Sequence, residues 1–496
     1  PTTDKHGDIL AAFEAEAEDR ENDLCDEADE GKEDDRDNHS EQVNESGFEI
    51  PTRPKGAAKA RNRRVFRDEE AWAFRMAYGG RVTWYRGRRV RQALQKPITS
   101  RPRAAWGALF FVAPGRGAVR FDRPRQAHEA PVTETSSSQP RPYIPAIGVT
   151  VVKHVPVGRV NRIINLSLNE SALGASPRAV RAAKERAQSL ERYPDPGHGA
   201  LRKALGRAHD LDPECLVCGN GSEELLDVIG RVYARPGDEI LYPEHGFLQF
   251  AIVAMRVGAT PVTAPERDLR ADVEALLAAV SERTKVLFLA NPNNPTGTYI
   301  GREELRGLAD RLPASVVLVI DSAYAEYVDD TDYSDGLELV EGSENVIVTR
   351  TFSKAYGLAA ARVGWAYGPP SMIGVLNRMR GIGNVNALAH AAAIAALEDQ
   401  DFVERVRART IEARGWLGAA LTALGLEVVA GAGNFVFVRF PEAPARSAMA
   451  ALKYLAQRGI VTRSNEDYGL DAYLRITLGR EDENRLVRDA IADFLG

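Results

Sequence analysis

The chain has 496 residues, 44% hydrophobic residues and a formal net charge of −6 at pH 7. This length suffices for two domains and further segments, and the mild charge argues against a polyanionic partner for the chain as a whole. Three cysteines cannot build a disulfide framework, which favours a reducing compartment, so we expect a cytoplasmic protein. The longest apolar stretch near the start, residues 104–114, is too short to cross a bilayer, and no membrane segment is expected.

The first 140 residues differ in composition from the rest. Residues 1–50 carry about 19 acidic and 4 basic side chains, whereas residues 51–130 carry about 20 basic, nearly all Arg, and 5 acidic. Neither zone shows a sustained helical or strand period, and residues 131–143 are typical of a linker. We expect residues 1–140 to be a disordered, low-complexity extension. The alternative is a basic arm that binds nucleic acid or another anionic surface.

From about residue 144, apolar strand-like runs alternate with amphipathic helical runs. This alternation predicts an α/β sheet with helices on both faces, and in such sheets ligands bind beyond the carboxyl ends of the strands. Helices are predicted at residues 176–190, 302–312 and 446–459, and strands at residues 285–290, 315–321, 345–352 and 426–440.

A glycine-rich turn, GNGSEELL, opens a predicted helix at residues 219–226. Free backbone N–H groups at a helix N-terminus bind anions, so a phosphate could lie at Gly221 and Ser222. Ser222 is equally explained as a plain N-cap. Just before this turn, Cys215 and Cys218 have C-x-x-C spacing, but no second pair of ligands follows at zinc-site distance. We therefore predict a buried strand there and no metal site.

Two further loops follow predicted strands. Residues 291–297, NPNNPTG, form a rigid turn in which Asn294 either caps the backbone or donates to an acidic oxygen of a ligand. Asp321 ends a strand, and a buried carboxylate needs a partner, which a protonated pyridine nitrogen would supply through a charge-assisted hydrogen bond. Tyr324, three residues on, could reach the phenolic oxygen of the same ring. An Asp that begins a turn is the alternative.

The last motif is the segment from Thr351 to Arg362, after the strand predicted at residues 345–352. A lysine amine can condense with an aldehyde, and Lys354 lies at the strand's carboxyl end. The hydroxyls of Thr351 and Ser353 and the fixed cation of Arg362 suit a phosphate monoester held close to that lysine. In isolation, a solvated lysine would be the default interpretation.

Together, and in this order after successive strands, the motifs resemble the fold-type I pyridoxal-phosphate-dependent aminotransferases, and within them the histidinol-phosphate aminotransferase family. The resemblance runs from about residue 141 to the C-terminus. It implies a large domain with a mostly parallel mixed sheet and helices on both faces, and a smaller α+β C-terminal domain. The implied divisions are an N-terminal arm with part of the small domain at residues 141–192, the large cofactor-binding domain at 193–385 and the small domain at 386–496.

The resemblance also implies roles for single residues. Lys354, Asp321 and Tyr324 would be the catalytic residues. Lys354 would carry pyridoxal 5′-phosphate as a Schiff base, and Asp321 would pair with the ring nitrogen. Tyr324 and Asn294 would contact the ring hydroxyl, and Asn294 would also contact the substrate. The other residues expected around the cofactor are Gly221, Ser222, Glu223, Phe247, Thr351, Ser353 and Arg362, together with Tyr193, which would reach the phosphate from the partner subunit of a homodimer.

The implied substrates are an amino donor and a 2-oxo acid. Arg475, with Arg463 as its companion, would bind the anionic end of the substrate, and two arginines suit a dianionic phosphate better than one does. This favours transfer of the amino group of histidinol phosphate to 2-oxoglutarate, a reaction of histidine biosynthesis, although two arginines could also serve a dicarboxylate. The chain departs from the family pattern at residues 169–174, NESALG in place of N-E-N-P-x-G, and at Ser322, where an acid is common.

Three alternative functions remain at this point. Within the same family they are an aromatic (phenylalanine or tyrosine) aminotransferase and a threonine-phosphate decarboxylase. The third is a transcription regulator in which the Arg-rich zone binds DNA, although residues 51–130 lack the two consecutive amphipathic helices of a helix-turn-helix.

Overall fold

The computed structural model describes strands Ala73–Tyr78 and Arg81–Arg86, residue 160 and residues 162–496. The chain divides into two compact units, Pro1–Val132 and Thr133–Gly496. The expected disorder of residues 1–140 and the linker at residues 131–143 lie, apart from the two strands, outside the described residues. The expected boundaries at residues 140, 192 and 385 stay predictions.

The first unit contains an antiparallel pair, β1 (Ala73–Tyr78) and β2 (Arg81–Arg86), in which Tyr78 lies opposite Arg81. The sequence between the strands is Gly-Gly, a dipeptide typical of two-residue hairpin connections. This pair differs from the expectation that the Arg-rich zone has no regular element. The reason is its length, because six residues on each side are too few to give a sustained period along the sequence.

The second unit contains fifteen strands within the described residues. In chain order they are β3 (Ile164–Asn165), β4 (Leu216–Gly219), β5 (Glu239–Pro243), β6 (Thr260–Ala264), β7 (Glu266–Arg267), β8 (Arg270–Ala271), β9 (Thr284–Ala290), β10 (Val317–Asp321), β11 (Val346–Thr351), β12 (Gly364–Tyr367), β13 (Glu427–Val429), β14 (Phe435–Arg439), β15 (Ile460–Val461), β16 (Arg463–Ser464) and β17 (Tyr473–Thr477).

Eleven α-helices lie in the same described region, and none of them is long and apolar enough to span a membrane. They are α1 (Pro177–Arg186), α2 (Gly199–His209), α3 (Ser222–Tyr233), α4 (Gln249–Val257), α5 (Val273–Ala278), α6 (Arg302–Arg311), α7 (Pro370–Met379), α8 (Ala387–Leu397), α9 (Gln400–Ala423), α10 (Ala448–Gln457) and α11 (Glu481–Leu495). Short 3₁₀ turns occur at Ala187–Ser189, Pro213–Cys215, Ala325–Tyr327, Leu337–Leu339, Ala359–Ala361, Pro444–Arg446 and Glu466–Tyr468.

The main sheet has seven strands in the order β4-β12-β11-β10-β9-β5-β6. All neighbours are parallel except β12, which is antiparallel to both β11 and β4. The expected mostly parallel mixed sheet is therefore confirmed. Cys215 precedes β4 and Cys218 lies within it, both buried and unlinked, as the buried-strand interpretation of the C-x-x-C spacing requires.

Alternating residues of the central strands pack on opposite faces of this sheet. In β9, Phe288 belongs to the core formed with α3 and α4, whereas Leu287 and Leu289 belong to the core formed with α5 and α6. A strand buried on both faces needs apolar side chains at every position, which explains the continuous apolar runs of β9 and β10. Helices accordingly cover both faces, as expected.

A smaller antiparallel sheet of order β13-β14-β17-β16 lies towards the C-terminus. It packs with α9, α10 and α11 around a core that includes Leu417, Val438, Leu455 and Ile491. Residue Ile164 of β3 pairs in parallel with Ile460 of β15, next to this sheet. The chain that follows β3 is thereby anchored beside the small sheet before it crosses to the loops of the main sheet.

Candidate active site

A cavity of about 490 Å³ opens at the carboxyl ends of the parallel strands. Ala290, Asp321 and Thr351, the last residues of β9, β10 and β11, all line it. This is the edge at which open α/β sheets bind ligands. Of the residues predicted to contact a ligand, the cavity wall contains Ser222, Glu223, Phe247, Asn294, Asp321, Tyr324, Thr351, Ser353, Lys354, Arg362, Arg463 and Arg475.

Asp321 lines the cavity and is only 4% exposed. Its Oδ1 accepts a hydrogen bond of 2.8 Å from the hydroxyl of Thr349 on the adjacent strand β11. Burial raises the pKa of Asp321 to about 6, against the smaller opposing effect of the Thr349 hydrogen bond. A carboxylate in this position gains most from a cationic N–H partner in the cavity.

Lys354 and Tyr324 lie near each other on the wall. The Lys354 ammonium is 5.7 Å from the centre of the Tyr324 ring and donates to the backbone carbonyls of Leu168 and Asn169, at 3.3 and 3.2 Å. The buried Tyr324 hydroxyl accepts a hydrogen bond of 2.8 Å from Asn169 Nδ2. The segment after β3 therefore contacts both of these predicted catalytic side chains.

A second group of side chains surrounds the N-terminus of α3. Gly221 is the N-cap, with a φ of +83°, and a β-carbon on it would lie 2.7 Å from Nη2 of Arg362. Arg362 Nη1 approaches the Ser353 hydroxyl at 3.5 Å, and its Nη2 contacts Glu223 at 3.1 Å. Free helix N–H groups, hydroxyls and a guanidinium together make a cradle for a phosphate. Ser222 is the first helical residue rather than the cap.

Arg475 also lines the cavity and is 6% exposed. Its guanidinium donates to Oδ1 of Asn294 and, at 2.6 Å, to the carbonyl of Ser167. Because Arg475 occupies the oxygen of the Asn294 amide, the NH₂ group of that amide is left to donate towards the cavity. Burial lowers the pKa of Arg475, and its Nε has no hydrogen-bond partner among the described residues.

Arg463 lies directly opposite Arg475 in the antiparallel pair of β16 and β17. The structure thus brings the two predicted substrate-binding arginines together. Arg463 also forms an ion pair with Asp467, which is 41% exposed. This carboxylate beside the two arginines was not predicted from the sequence.

Phe247 and Tyr193 were predicted to contact the cofactor, whereas Tyr468 was not predicted. Phe247 lines the cavity and packs edge-on against Phe250, with ring centres 5.9 Å apart. Tyr193 is 97% exposed and does not line the cavity of its own chain. Tyr468 does line it, and its phenol, whose pKa burial raises to about 12, also contacts the backbone N–H of Leu248.

These groups fit a planar cofactor that carries an aldehyde, a ring nitrogen and a phosphate. The buried Asp321 supplies the anion for a protonated ring nitrogen, and Lys354 supplies an amine for the aldehyde. The close approach of Gly221 to Arg362 excludes a side chain at the N-terminus of α3, where the phosphate would bind. Among the described residues, no three metal-binding side chains lie together.

Comparisons with known proteins agree with this geometry. The family model described as aminotransferase class I and II matches residues 161–491. The crystal structure of histidinol-phosphate aminotransferase from Sinorhizobium meliloti in complex with pyridoxal-5′-phosphate superimposes with a TM-score of 0.64 at 32% identity, covering 67% of this chain and 91% of that one. The fold and the site define a fold-type I aminotransferase that depends on pyridoxal phosphate.

Curated relatives indicate the family within this class of enzymes. Histidinol-phosphate aminotransferase of Paramagnetospirillum magneticum is 50% identical over 357 residues, which cover 72% of this chain and 98% of that protein. Histidinol-phosphate aminotransferase of Maricaulis maris is 49% identical over 332 residues, which cover 67% and 92%. The chain belongs to the histidinol-phosphate aminotransferase family.

Proposed function

We propose that the protein transfers the amino group of histidinol phosphate to 2-oxoglutarate, giving imidazole acetol phosphate and glutamate. The observation that carries this proposal is the direct pairing of Arg463 with Arg475 on adjacent strands at the cavity wall. Two guanidinium groups match a dianionic phosphate monoester, whereas one suffices for a single carboxylate.

Each side chain of the cavity then has a separate task. Lys354 binds the aldehyde carbon of the cofactor, and Asp321 keeps the ring nitrogen protonated. Tyr324 and Asn294 hold the ring oxygen, Phe247 stacks on the ring, and a phosphate site forms at the N-terminus of α3. The residues of that phosphate site are Gly221, Ser222, Glu223 through its backbone, Thr351, Ser353 and Arg362.

When bound, pyridoxal phosphate supplies a carbonyl that exchanges between amines and a cationic ring that withdraws electrons from the substrate Cα. The Asp321 carboxylate stabilises the ring cation through a buried charge-assisted hydrogen bond. With the cofactor bound to a substrate amine instead, Lys354 would be a free amine beside the cavity, and its Nζ would take the proton from the substrate Cα as a general base and give it back to the cofactor as a general acid. Arg475 and Arg463 would hold the anionic end of the substrate and so limit how its Cα can lie relative to Nζ.

We also propose a homodimer in which Tyr193 reaches the phosphate site of the partner subunit. Tyr193, Leu190 and Ile382 are 97%, 70% and 95% exposed, a high degree for large apolar side chains. Segments around them are in contact, since Arg380 donates to the carbonyl of Pro196 at 2.6 Å. An exposed apolar patch of this kind, next to a tyrosine outside its own cavity, supports an interface between two copies.

A comparison of amino donors tests the reaction. The cofactor-loaded protein is mixed with histidinol phosphate, histidinol or phenylalanine, and the loss of the cofactor's absorbance is followed in a single turnover. We expect kcat/KM for histidinol phosphate to exceed that for either other donor by about 100-fold. This factor corresponds to the free energy of one or two charge-assisted hydrogen bonds. A preference for phenylalanine would instead indicate an aromatic aminotransferase.

A pair of arginine variants locates the phosphate contact. Arg463→Gln should lower kcat/KM for histidinol phosphate and leave that for histidinol, which lacks the phosphate, nearly unchanged. The matched control is Arg458→Gln, because Arg458 stacks on Tyr454 outside the cavity wall, with its guanidinium carbon 3.5 Å from the ring centre. Equal loss for both donors would remove Arg463 from the phosphate site.

Mixing of variants tests the dimer. Lys354→Ala and Tyr193→Ala subunits are each purified, mixed, partly unfolded and refolded together. If Tyr193 acts across the interface, a mixed dimer contains one site with both residues intact, and activity reappears at about a quarter of the wild-type level on statistical mixing. If Tyr193 acts in its own subunit or not at all, mixing gives no gain.

A further inference from the structure

The side chain of Asn169 lies between Tyr324 and strand β17. Asn169 is 1% exposed, and its Nδ2 donates to the Tyr324 hydroxyl at 2.8 Å. The hydroxyl of Thr477 accepts from the Asn169 backbone N–H and donates to its Oδ1, both at 3.0 Å. The Asn169 backbone has a φ of +54°, a left-handed conformation that Asn tolerates better than most residues.

The backbone carbonyl of Asn169 makes two further contacts. It accepts hydrogen bonds from Lys354 Nζ at 3.2 Å and from Asn434 Nδ2 at 3.0 Å. Asn169 therefore contacts the two side chains expected to act on the cofactor, Lys354 and Tyr324, from one fully buried position.

These contacts fix the direction of the Tyr324 hydroxyl. A phenol has one proton to donate and lone pairs that accept. Because Thr477 donates to the oxygen end of the Asn169 amide, the NH₂ end faces Tyr324 and occupies an acceptor position of its oxygen. The phenolic proton is then free, and within the described residues the Tyr324 hydroxyl has no partner other than Asn169. Tyr324 lines the cavity, so the proton can be donated to a ligand there.

We propose that Asn169 is a positioning residue, which orients the Tyr324 hydroxyl so that its proton is donated to the ring oxygen of the cofactor. The proposal rests on the role given to Tyr324 above and does not depend on which amino donor is used. It also gives a function to the first residue of the NESALG segment, whose departure from the family pattern lies further along, at Ser171 and Ala172.

The orientation has a spectroscopic consequence. A proton donated to the ring oxygen stabilises the negative charge of that oxygen. This charge is larger when the nitrogen that joins the cofactor to Lys354 is unprotonated. Loss of the hydroxyl donor therefore favours the form in which this nitrogen is protonated. The pKa of that nitrogen, read from the cofactor's absorbance as a function of pH, should therefore rise when Asn169 no longer orients Tyr324.

The test variant is Asn169→Gly, because glycine keeps the left-handed backbone and the carbonyl contact with Lys354 while removing the amide. We expect the pKa of the linking nitrogen to rise by roughly half a unit to one unit, the value of one neutral hydrogen bond. Tyr324→Phe should raise it at least as much. The double variant should show no further rise over Tyr324→Phe, because Asn169 acts through the phenol.

The matched control is Asn434→Ala. This change removes the hydrogen bonds to the carbonyls of Asn169 and Glu170 and weakens the same segment, yet it leaves the bond between Asn169 and Tyr324 in place. It should lower the thermal stability without moving the pKa. An equal pKa rise in Asn434→Ala would overturn the proposal, since it would mark a general loosening of the segment.

Other outcomes are equally decisive. If Tyr324→Phe raises the pKa and Asn169→Gly does not, the positioning role is overturned and the role of Tyr324 stands. If neither variant moves the pKa, both roles are overturned, while the donor comparison is unaffected. Should Asn169→Gly fail to bind the cofactor, Thr477→Val is titrated instead. A rise there supports the proposal, and an unchanged pKa contradicts it.

Discussion

The hydroxyl of Thr349 lies 2.8 Å from Oδ1 of Asp321, across the adjacent parallel strands β11 and β10. Among the described residues, this is the one hydrogen bond to the Asp321 carboxylate, and it leaves the second carboxylate oxygen for a partner in the cavity. Burial outweighs this single bond, and the pKa of Asp321 rises to about 6. The carboxylate is thus placed where it costs stability without the cofactor and binds a ring cation when the cofactor is present.

Asp321→Asn should therefore stabilise the cofactor-free protein. The folded pKa lies above the ordinary value of 3.8, so the folded protein holds this proton to higher pH than the unfolded chain does, and stability falls as the pH rises from about 4 to about 6. At pH 7.5 the variant removes a cost of about 3 kcal/mol at most. Unfolding by urea, followed without cofactor, should show a gain at pH 7.5 that falls by about half at pH 5.

The same variant should lose transaminase activity, because an amide cannot stabilise a protonated ring nitrogen as a carboxylate does. The Thr349 hydrogen bond is available to Asn as well, so the gain in stability cannot come from local rearrangement of that bond. A variant that is less stable than the wild type at pH 7.5 would show that Asp321 is not a buried charge without a partner.

Gly221→Ala should weaken cofactor binding specifically. The new β-carbon would lie 2.7 Å from Arg362 Nη2 and would push the guanidinium away from the phosphate site. Loss of charge-assisted hydrogen bonds to the phosphate should raise the Kd for pyridoxal phosphate about 10- to 100-fold, measured by absorbance titration of the cofactor-free protein.

Gly342→Ala is the matched control for that change. Gly342 has a φ of +77°, close to the +83° of Gly221, and a β-carbon there meets nothing within 4 Å. Both variants place alanine at a positive φ and should lose stability in urea unfolding. The loss should be larger for Gly221→Ala, because the ψ of 164° at Gly221 lies in a region essentially restricted to glycine. Only Gly221→Ala should change the Kd. A similar rise in Kd for Gly342→Ala would attribute the effect to general destabilisation.

Asp467→Asn should improve the use of a phosphorylated donor. Asp467 forms an ion pair with Arg463, and this carboxylate competes with a substrate phosphate for the same guanidinium. Because Asp467 is partly exposed, the effect is modest, and we expect KM for histidinol phosphate to fall roughly two- to fivefold. For histidinol, which lacks the phosphate, KM should stay unchanged. A higher KM in the variant would mean that Asp467 holds Arg463 in its binding position.

Much of this site could be predicted from sequence because its residues end strands. Asp321 and Thr351 end apolar runs that only a doubly covered sheet explains, and parallel strands bring their carboxyl ends to one edge. The alternation of strands and helices also predicted the correct elements at residues 176–190, 302–312 and 446–459, with ends that differ by at most four residues. Local pattern and chain order carry this information.

One contact that could not be predicted joins distant parts of the chain. The bond between Asn169 and Tyr324 spans 155 residues and depends on how the segment after β3 crosses the loops of the main sheet, which no local period encodes. Asp467 lies four residues from Arg463, yet its ion pair depends on a 3₁₀ turn that short polar sequence does not signal. The strands β1 and β2 are too short to show a sustained period.

Reduction of the cofactor-loaded protein with borohydride tests the central claim most directly. The reagent converts the double bond between cofactor and lysine into a stable secondary amine, and the labelled peptide is identified by mass spectrometry. We predict that the reduced cofactor is found on Lys354, and that Lys354→Ala binds the cofactor without acquiring the label. Label on another lysine, or a wild-type protein that binds the cofactor and carries no label after reduction, would contradict the account.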